Sequence, residues 1–240
     1  MKTKSLLIGV GLAIAIYLIL PFNHLFNGIE GSGNVIKETR ELNEFHGIDV
    51  GGAFHVMVTK GNIQKVEIES DDNIIPRTKT TVKNGILEIS TEGNIKNAET
   101  LNIYITIPNL DNIDLSGASK LISTDKFTQE NVEIEISGAS ELQYSIEAQK
   151  MDIDASGASK ASISGFANVM EIEASGASAI NANELSVNNA SVDCSGASDL
   201  KILVLENLKG EASGASQVLY SGNPKQVTME TSGAASVSRK

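Results

Sequence analysis

The chain has 240 residues, of which 41% are hydrophobic and 4% aromatic, with no tryptophan. A core of that composition must be filled by small and branched side chains, which favours a thin, regular architecture over a thick globular one. The single cysteine, Cys194, excludes an intramolecular disulfide framework. The formal net charge of −11 argues against nucleic acid and anionic membrane surfaces as ligands and favours cations and neutral or basic polymers.

Residues 1–26 have the charge order of an export signal. Lys2 and Lys4 precede an uncharged apolar run from Leu6 to Leu20. This run is shorter than the about 20 residues of a full membrane span. Two interpretations stay open: an uncleaved membrane anchor with its lysines on the cytoplasmic side, or a cleaved signal peptide. Both predict that the rest of the chain is exported to the cell envelope.

Short β-strands are predicted between this segment and Pro108. The glycines of residues 27–33 predict a flexible linker, so a single domain is expected over residues 34–240. Beyond the linker, apolar and polar residues alternate with period two, as in Leu101–Ile107, and turn signals such as Asn84-Gly85 separate the runs. The pattern predicts strands and almost no helix.

An internal repeat predicts the fold of the second half. Ser-Gly-Ala-Ser, or Ser-Gly-Ala-Ala in the last copy, recurs at spacings of 18 to 21 residues. The copies begin at Ser116, Ser137, Ser156, Ser175, Ser195, Ser213 and Ser232. Each repeat alternates with the period of a strand and is too short for a helix pair or a propeller blade. The sequence therefore predicts an all-β fold, a parallel β-solenoid (β-helix) with about 19-residue coils over residues 114–236, preceded by short strands that extend or cap the stack.

Each Ser-Gly-Ala-Ser copy is predicted to form the corner of a coil, where glycine permits a conformation that other residues resist. Residues 48–53 resemble residues 113–118 and are expected to be an earlier, degenerate copy. No Gly-x-Ser-x-Gly elbow occurs and no histidine lies within the repeats, so the corner serines are expected to bond to one another in ladders and not to act as nucleophiles. Cys194 is expected to be a small buried hydrophobe.

The chain resembles a family of bacterial envelope proteins described as putative auto-transporter adhesin, head GIN domain. The resemblance rests on Gly31-Ser32-Gly33-Asn34 after an export segment, on Phe45–Val50, on Asn84–Ile89 and on the repeated Ser-Gly-Ala-Ser coils. It implies a β-solenoid fold and a role in surface attachment. It supplies no catalytic residues.

A column of acidic residues is the most informative feature of the repeats. One acid stands two residues before the first serine of every corner. These acids are Asp114, Glu135, Asp154, Glu173, Asp193, Glu211 and Glu230. Strand alternation points them outward, which fits either a strip that binds cations such as Ca²⁺ or faces a glycan, or a solvated face that discourages lateral aggregation. No Asp-rich calcium loop is present, so no metal or other cofactor is assigned.

These features predict a non-enzymatic exported protein that adheres to a surface or binds a ligand, such as a glycan or a surface protein, through a repetitive solenoid face. Its predicted partners are the membrane, through the N-terminal segment, and this ligand, with no nucleic acid. A carbohydrate-active β-helix lyase or hydrolase is the alternative, disfavoured because the coils are alike and no irregular loop is long enough to wall a cleft. A passive scaffold that polymerises end to end is a third hypothesis, and the charged end of the last coil, Ser236–Lys240, argues against it.

Overall fold

The computed structural model describes residues 28–240, in which nearly all regular structure is β-strand. The one helical element among these residues is a 3-10 turn at Ile75–Arg77. The strands are β1 (Ile29–Glu30), β2 (Val35–Arg40), β3 (Gly47–Gly52), β4 (His55–Lys60), β5 (Lys65–Asp71), β6 (Thr78–Lys83), β7 (Ile86–Thr91), β8 (Ile95–Asn97), β9 (Leu101–Ile107), β10 (Asn112–Gly117), β11 (Lys120–Ile136), β12 (Glu141–Ala155), β13 (Lys160–Ala174), β14 (Ala179–Cys194), β15 (Asp199–Ala212), β16 (Gln217–Gly222), β17 (Gln226–Thr231) and β18 (Ser236–Arg239).

The repeats form successive coils of a parallel β-solenoid. Strands β10 to β18 pair in parallel, each with the strand one coil earlier, and the long strands β11 to β15 run from one corner to the next. The register places Ile134 beside Ile153 and Ile153 beside Ile172. The predicted fold and the predicted length of the coils are confirmed.

The core is built from stacked columns of inward-facing residues. Ile134, Ile153 and Ile172 are buried, while the acids on either side of each isoleucine in its strand point outward, as the alternation predicts. Full burial of one such side chain stabilises the fold by roughly 1.5–3 kcal/mol. A second buried column stands directly before the corners. Its members are Leu115, Ile136, Ala155, Ala174, Cys194 and Ala212. Thr231, which pairs with Ala212 at the same position in the last copy, is exposed.

The corners need glycine for two reasons. The glycines of the seven copies all have φ between +68° and +75°, a left-handed conformation that a Cβ disfavours. In addition, a Cβ on Gly157 would lie 2.7 Å from the carbonyl oxygen of Gly138, in the preceding coil. The stack is this tight because the alanine N–H after each glycine donates to that carbonyl, as Ala158 does to Gly138 at 2.7 Å.

The second serine of the first six corners is buried, but its hydroxyl does not bond to the serine of the next coil. Ser140 Oγ donates to the carbonyl of Ser137 at 2.7 Å, and Ser216 Oγ donates to that of Ser213 at 2.8 Å. The expected ladder of serine hydroxyls is therefore wrong. At Ser140 and Ser216 the turn brings the carbonyl three residues earlier closer to the hydroxyl than the next coil, which is about 4.8 Å away. The hydroxyls of Ser159, Ser178 and Ser198 have no hydrogen-bond partner among residues 28–240.

The N-terminal strands extend the solenoid and then cap it. Ile48–Gly52 lie in register on Ile113–Gly117, so the degenerate earlier copy is confirmed. Beyond this coil, β7 pairs in parallel with β3, and β9 pairs in parallel with β4. The outermost strands β2, β5 and β6 pair antiparallel with their neighbours and close this end of the stack.

Residues 28–33 belong to the folded domain, which corrects the expected flexible linker. Strand β1 pairs in parallel with β8, and the Gly31 N–H donates to the Asn97 carbonyl at 2.8 Å. The carboxylate of Asp71 accepts the Gly33 N–H at 2.6 Å. Glycine content suggested flexibility, but contacts with residues distant in sequence order the segment. We refer to residues 28–34 as the strap.

The predicted anchor or signal over residues 1–26 lies outside the described residues. Residues 28–240 contain no helix with the length and hydropathy that a membrane crossing requires.

Candidate functional site

The seven predicted acids form a continuous ladder on one outer face of the solenoid. Strand pairing places each acid directly beside the acid of the next coil. The order along the stack is Asp114, Glu135, Asp154, Glu173, Asp193, Glu211 and Glu230. The spacing between coils sets neighbouring carboxylates about 4.8 Å apart at the backbone.

Two further acids continue this ladder toward the N-terminal end. Asp49 in β3 pairs with Asp114, and Glu88 in β7 pairs with Asp49. The ladder therefore has nine members. Asp49 stood in the recognised degenerate copy but was not counted, and Glu88 was missed because no Ser-Gly-Ala-Ser follows it. The signal that could have found Glu88 is the apolar-acid-apolar pattern of Leu87-Glu88-Ile89, which matches that of the coils.

Most of the ladder has no cationic partner. Lys83 Nζ lies 2.7 Å from Glu88 Oε2 at the N-terminal end. Among residues 28–240, none of the other eight ladder acids forms a salt bridge. From Glu135 to Glu230 the ladder side chains are exposed. The face is therefore strongly anionic and open to solvent.

A shorter acidic column lies beside the ladder on the same face. Glu133, Asp152 and Glu171 are in register in consecutive coils. Lys150 Nζ contacts two of them, at 3.0 Å from Asp152 Oδ2 and 3.3 Å from Glu171 Oε2. The two columns enclose a shallow depression of about 300 Å³ between them.

Two partly buried carboxyls near the N-terminal end of the ladder have raised pKa values. Burial, followed by the neighbouring charges of Asp49 and Glu135, raises the pKa of Asp114 to about 6. The pKa of Asp49 is also raised, first by burial and then by Glu88. Asp49 lies next to Asp114 near the N-terminal end of the ladder, and its charge adds to the effect of burial on Asp114.

A different face of the same coils neutralises its charges. In the column that follows the corners, Lys120 lies 3.1 Å from Glu141, and Glu141 lies 4.0 Å from Lys160. Lys126 and Glu147 form another pair between coils. The repeats can therefore place basic and acidic residues alternately along a column, whereas the ladder contains acidic residues only.

The geometry of the ladder is that of an extended surface and not of one coordination site. Among residues 28–240, no three carboxylate, histidine or cysteine side chains converge as metal ligands. The cation-binding strip stays a prediction, in which ions bridge carboxylates and a partner instead of sitting in a closed cage.

Cys194 is buried in the inward column, as expected. Burial is the main cause that raises the pKa of its thiol to about 11, so little reactive thiolate forms near neutral pH.

A groove of about 530 Å³ lies at the N-terminal end, next to the first corner. Gly52, Ala53 and His55 form one side, and the segment from Thr91 to Asn102 forms the other. The expectation that no segment could wall a cleft is therefore wrong. Residues 92–100 leave the path of the coil, and pairing of β8 with the strap stabilises this excursion.

Several solved structures share this fold. A Bacteroides fragilis protein described as a putative adhesin has 21% identity and a TM-score of 0.83, covering 89% of this chain and 100% of that chain. A putative adhesin from Parabacteroides distasonis has 18% identity and a TM-score of 0.70, covering 89% and 100%. Another Parabacteroides distasonis protein, described as a putative lipid binding protein, has 16% identity and a TM-score of 0.69, covering 88% and 99%. At these identities the likeness shows a shared fold.

The sequence profile of the family described as putative auto-transporter adhesin, head GIN domain, matches residues 44–224. No curated protein matches the chain.

Proposed function

The chain belongs to the family described as putative auto-transporter adhesin, head GIN domain, and from this membership we propose that it is an exported, non-enzymatic envelope protein that attaches to a surface partner through its acidic ladder. Export is supported by Lys2 and Lys4 before the apolar run Leu6–Leu20. Attachment is supported by the description of the family and of its structural relatives as adhesins.

The observation that carries the proposal is that all nine residues of the ladder are acidic, with no basic residue between them. Adjacent like charges at this spacing repel by roughly 1 kcal/mol per pair in water. The column of Lys120, Glu141 and Lys160 shows that the same fold can avoid this repulsion by alternation. A face that keeps nine acids in register despite the repulsion is suited to binding a complementary cationic surface.

The partner class follows from the chemistry of the face. A row of carboxylates about 4.8 Å apart matches a polymer with repeated cationic groups, on a glycan or on a surface protein, or an anionic polymer bridged by Ca²⁺. Nucleic acid would be repelled. Catalysis would need one distinctive place, whereas the carboxylates of this face recur almost unchanged from coil to coil.

The test is a glycan and surface-protein array probed with the full chain, with and without calcium. Two variants with equal charge change are compared. The ladder variant carries Glu135→Gln, Asp154→Asn, Glu173→Gln and Asp193→Asn. The control variant carries Glu41→Gln, Glu44→Gln, Glu130→Gln and Glu184→Gln, exposed acids outside the ladder that form no salt bridge within residues 28–240.

We expect the ladder variant to lose at least about tenfold in affinity for the partners bound by the parent chain, about 1.4 kcal/mol, and the control variant to lose less than about twofold. Equal losses in both variants would show that net charge matters and the ladder does not. Hydrolysis or lyase activity abolished by one substitution would show that the chain is an enzyme.

A further inference from the structure

The first corner of the stack has an empty place on its N-terminal side. Parallel pairing of β3 with β7 ends at Val50 and Ile89, and pairing of β4 with β9 begins at His55 and Asn102. The intervening corner, residues 51–54, is thus left without a paired strand on that side. The groove of about 530 Å³ occupies this place.

A backbone N–H points into the groove. The Gly52 carbonyl accepts the Ala118 N–H at 2.7 Å and so points toward the second corner. None of the peptide bonds in residues 28–240 is cis. In a trans peptide the C=O and N–H point in opposite directions, so the Ala53 N–H points away from the stack and toward the groove. Among residues 28–240 it has no hydrogen-bond acceptor.

In every later corner the equivalent N–H is paired. Each donates to the glycine carbonyl of the preceding corner at 2.7 Å. The donors are Ala118, Ala139, Ala158, Ala177, Ala197, Ala215 and Ala234. A backbone carbonyl of an extended peptide placed here would give the Ala53 N–H the same kind of acceptor that the later corners have. Because Gly52 has no Cβ, such a carbonyl can approach as closely as in the later corners.

The outer wall of the groove is held in place from behind. Asp71 Oδ2 accepts the Glu99 N–H at 2.9 Å, and Ser70 Oγ donates to the Thr100 carbonyl at 2.7 Å. Lys96 forms an ion pair of 2.5 Å with Glu30 of the strap. A wall fixed before binding lowers the entropy lost when a ligand is ordered.

We propose that this groove binds a short extended peptide of small residues from a partner protein, which takes the place of the missing corner and accepts the Ala53 N–H. Main-chain pairing with an open position of a sheet is an established mode of peptide recognition. The volume suits a short segment of glycine, alanine and serine, the residues that stack at every other corner. His55 and the amides of Asn94 and Asn97 line the groove and can bond to the remaining peptide groups.

The lining favours a peptide over a carbohydrate. No phenylalanine or tyrosine lines the groove to stack on a sugar ring, and its unpaired donor is a backbone group in strand register. None of the ladder carboxylates lines it. Binding here is thus separate from attachment through the acidic face.

The test uses a labelled peptide with the sequence Asp-Ala-Ser-Gly-Ala-Ser-Lys-Ala, that of residues 154–161, titrated by fluorescence anisotropy into the full chain. Ala53→Trp and Asn97→Trp place an indole in the groove from opposite walls. Ala177→Trp is the matched control, an equally exposed corner alanine several coils away. Melting temperatures show that each variant is folded.

We expect saturable binding that each groove variant weakens at least about tenfold and that the control changes less than about twofold. Binding of a scrambled peptide with equal affinity would overturn the proposal. So would undiminished binding to folded Ala53→Trp and Asn97→Trp, or an absence of saturable peptide binding to the parent chain. Binding of an N-acetylated oligosaccharide that the groove variants abolish would assign the groove to a carbohydrate instead.

Discussion

Asp49 and Asp114 lie side by side on the parallel strands β3 and β10, facing the same side of the sheet. Burial, the charge of Asp49 and then the charge of Glu135 raise the pKa of Asp114 from its ordinary value of 3.8 to about 6. The folded protein therefore binds this proton more tightly than the unfolded chain does. Linkage makes ionised Asp114 a destabilising group.

The first prediction concerns pH and Asp114. Between pH 3.8 and about 6 the folded state holds more protons than the unfolded state, so the contribution of Asp114 to stability falls as pH rises through this window. Asp114→Asn removes this loss. We expect the variant to match the parent near pH 4 and to exceed it by about 1 kcal/mol above pH 7, a value reduced for solvent screening of a partly exposed group. Urea unfolding from pH 4 to 8 measures the difference, and a constant difference would contradict the assigned cause.

The second prediction separates the two roles of a corner glycine. Gly157→Ala forces an alanine to adopt the left-handed φ of +70° and brings its Cβ to 2.7 Å from the Gly138 carbonyl oxygen. Gly33→Ala imposes only the conformation, because nothing lies within 4 Å of its Cβ. We expect Gly33→Ala to lower the free energy of unfolding by about 1 kcal/mol and Gly157→Ala by about 2–4 kcal/mol. Chemical denaturation measures both, and equal losses would mean that the corner can relax.

The sequence predicted the coils and most of the ladder because the repeat carries both signals locally. An alternation of period two predicts that Ile153 points inward and Asp154 outward, and the recurrence of the corner motif predicts how successive coils align. Glu88 lacks the corner motif that marks the seven repeats, and its neighbour in the ladder, Asp49, lies far away in the chain, with β4 to β6 between them. Pairing over that distance depends on how β4 to β6 fold back.

The direction and order of the strands in the N-terminal part could not be predicted from the sequence either. Alternation is the same in parallel and antiparallel strands, so it did not show that β2, β5 and β6 run antiparallel to their neighbours. The strap was expected to be flexible from its glycines alone. The group that orders it, Asp71, is 38 residues from Gly33.

The third prediction tests how the strap is held. Asp71 is fully buried and accepts two backbone N–H groups, from Gly33 at 2.6 Å and from Glu99 at 2.9 Å. Asp71→Asn replaces one acceptor oxygen with a donor that faces an N–H, which we expect to cost about 1–3 kcal/mol. Hydrogen exchange should accelerate in residues 29–34 and 98–100 and stay unchanged in the coils.

Asp72→Asn provides the control for this experiment. Asp72 also contacts the strap, since its carboxylate accepts the Ser32 hydroxyl at 2.6 Å and the Asn34 amide at 2.9 Å, but it is exposed to solvent. Water can replace these bonds, so we expect a smaller acceleration confined to the strap. A larger effect from Asp72→Asn than from Asp71→Asn would show that the exposed bonds hold the strap.

The fourth prediction concerns repulsion along the ladder. The ladder variant removes four consecutive charges, from Glu135 to Asp193, which face only like charges along the stack. At low ionic strength we expect its melting temperature to exceed that of the parent chain by about 2–4 °C, the shift that relief of about 1 kcal/mol gives at this size. The single change Asp154→Asn should shift it by less than about 1 °C, since most of the ladder remains.

Salt distinguishes relieved repulsion from a gain in packing. In about 1 M sodium chloride the screening length falls to roughly 3 Å, below the spacing between coils. The difference in melting temperature between the ladder variant and the parent chain should therefore disappear. The control variant, which loses as many charges from exposed positions, should gain less at low salt because those acids do not stand in register with one another in paired strands. Calcium should raise the melting temperature of the parent chain more than that of the ladder variant if the ladder holds cations. A rise in the melting temperature of the ladder variant that persists in high salt would contradict the prediction. It would mean that the new amide side chains stabilise the fold and that repulsion along the ladder is not measurable.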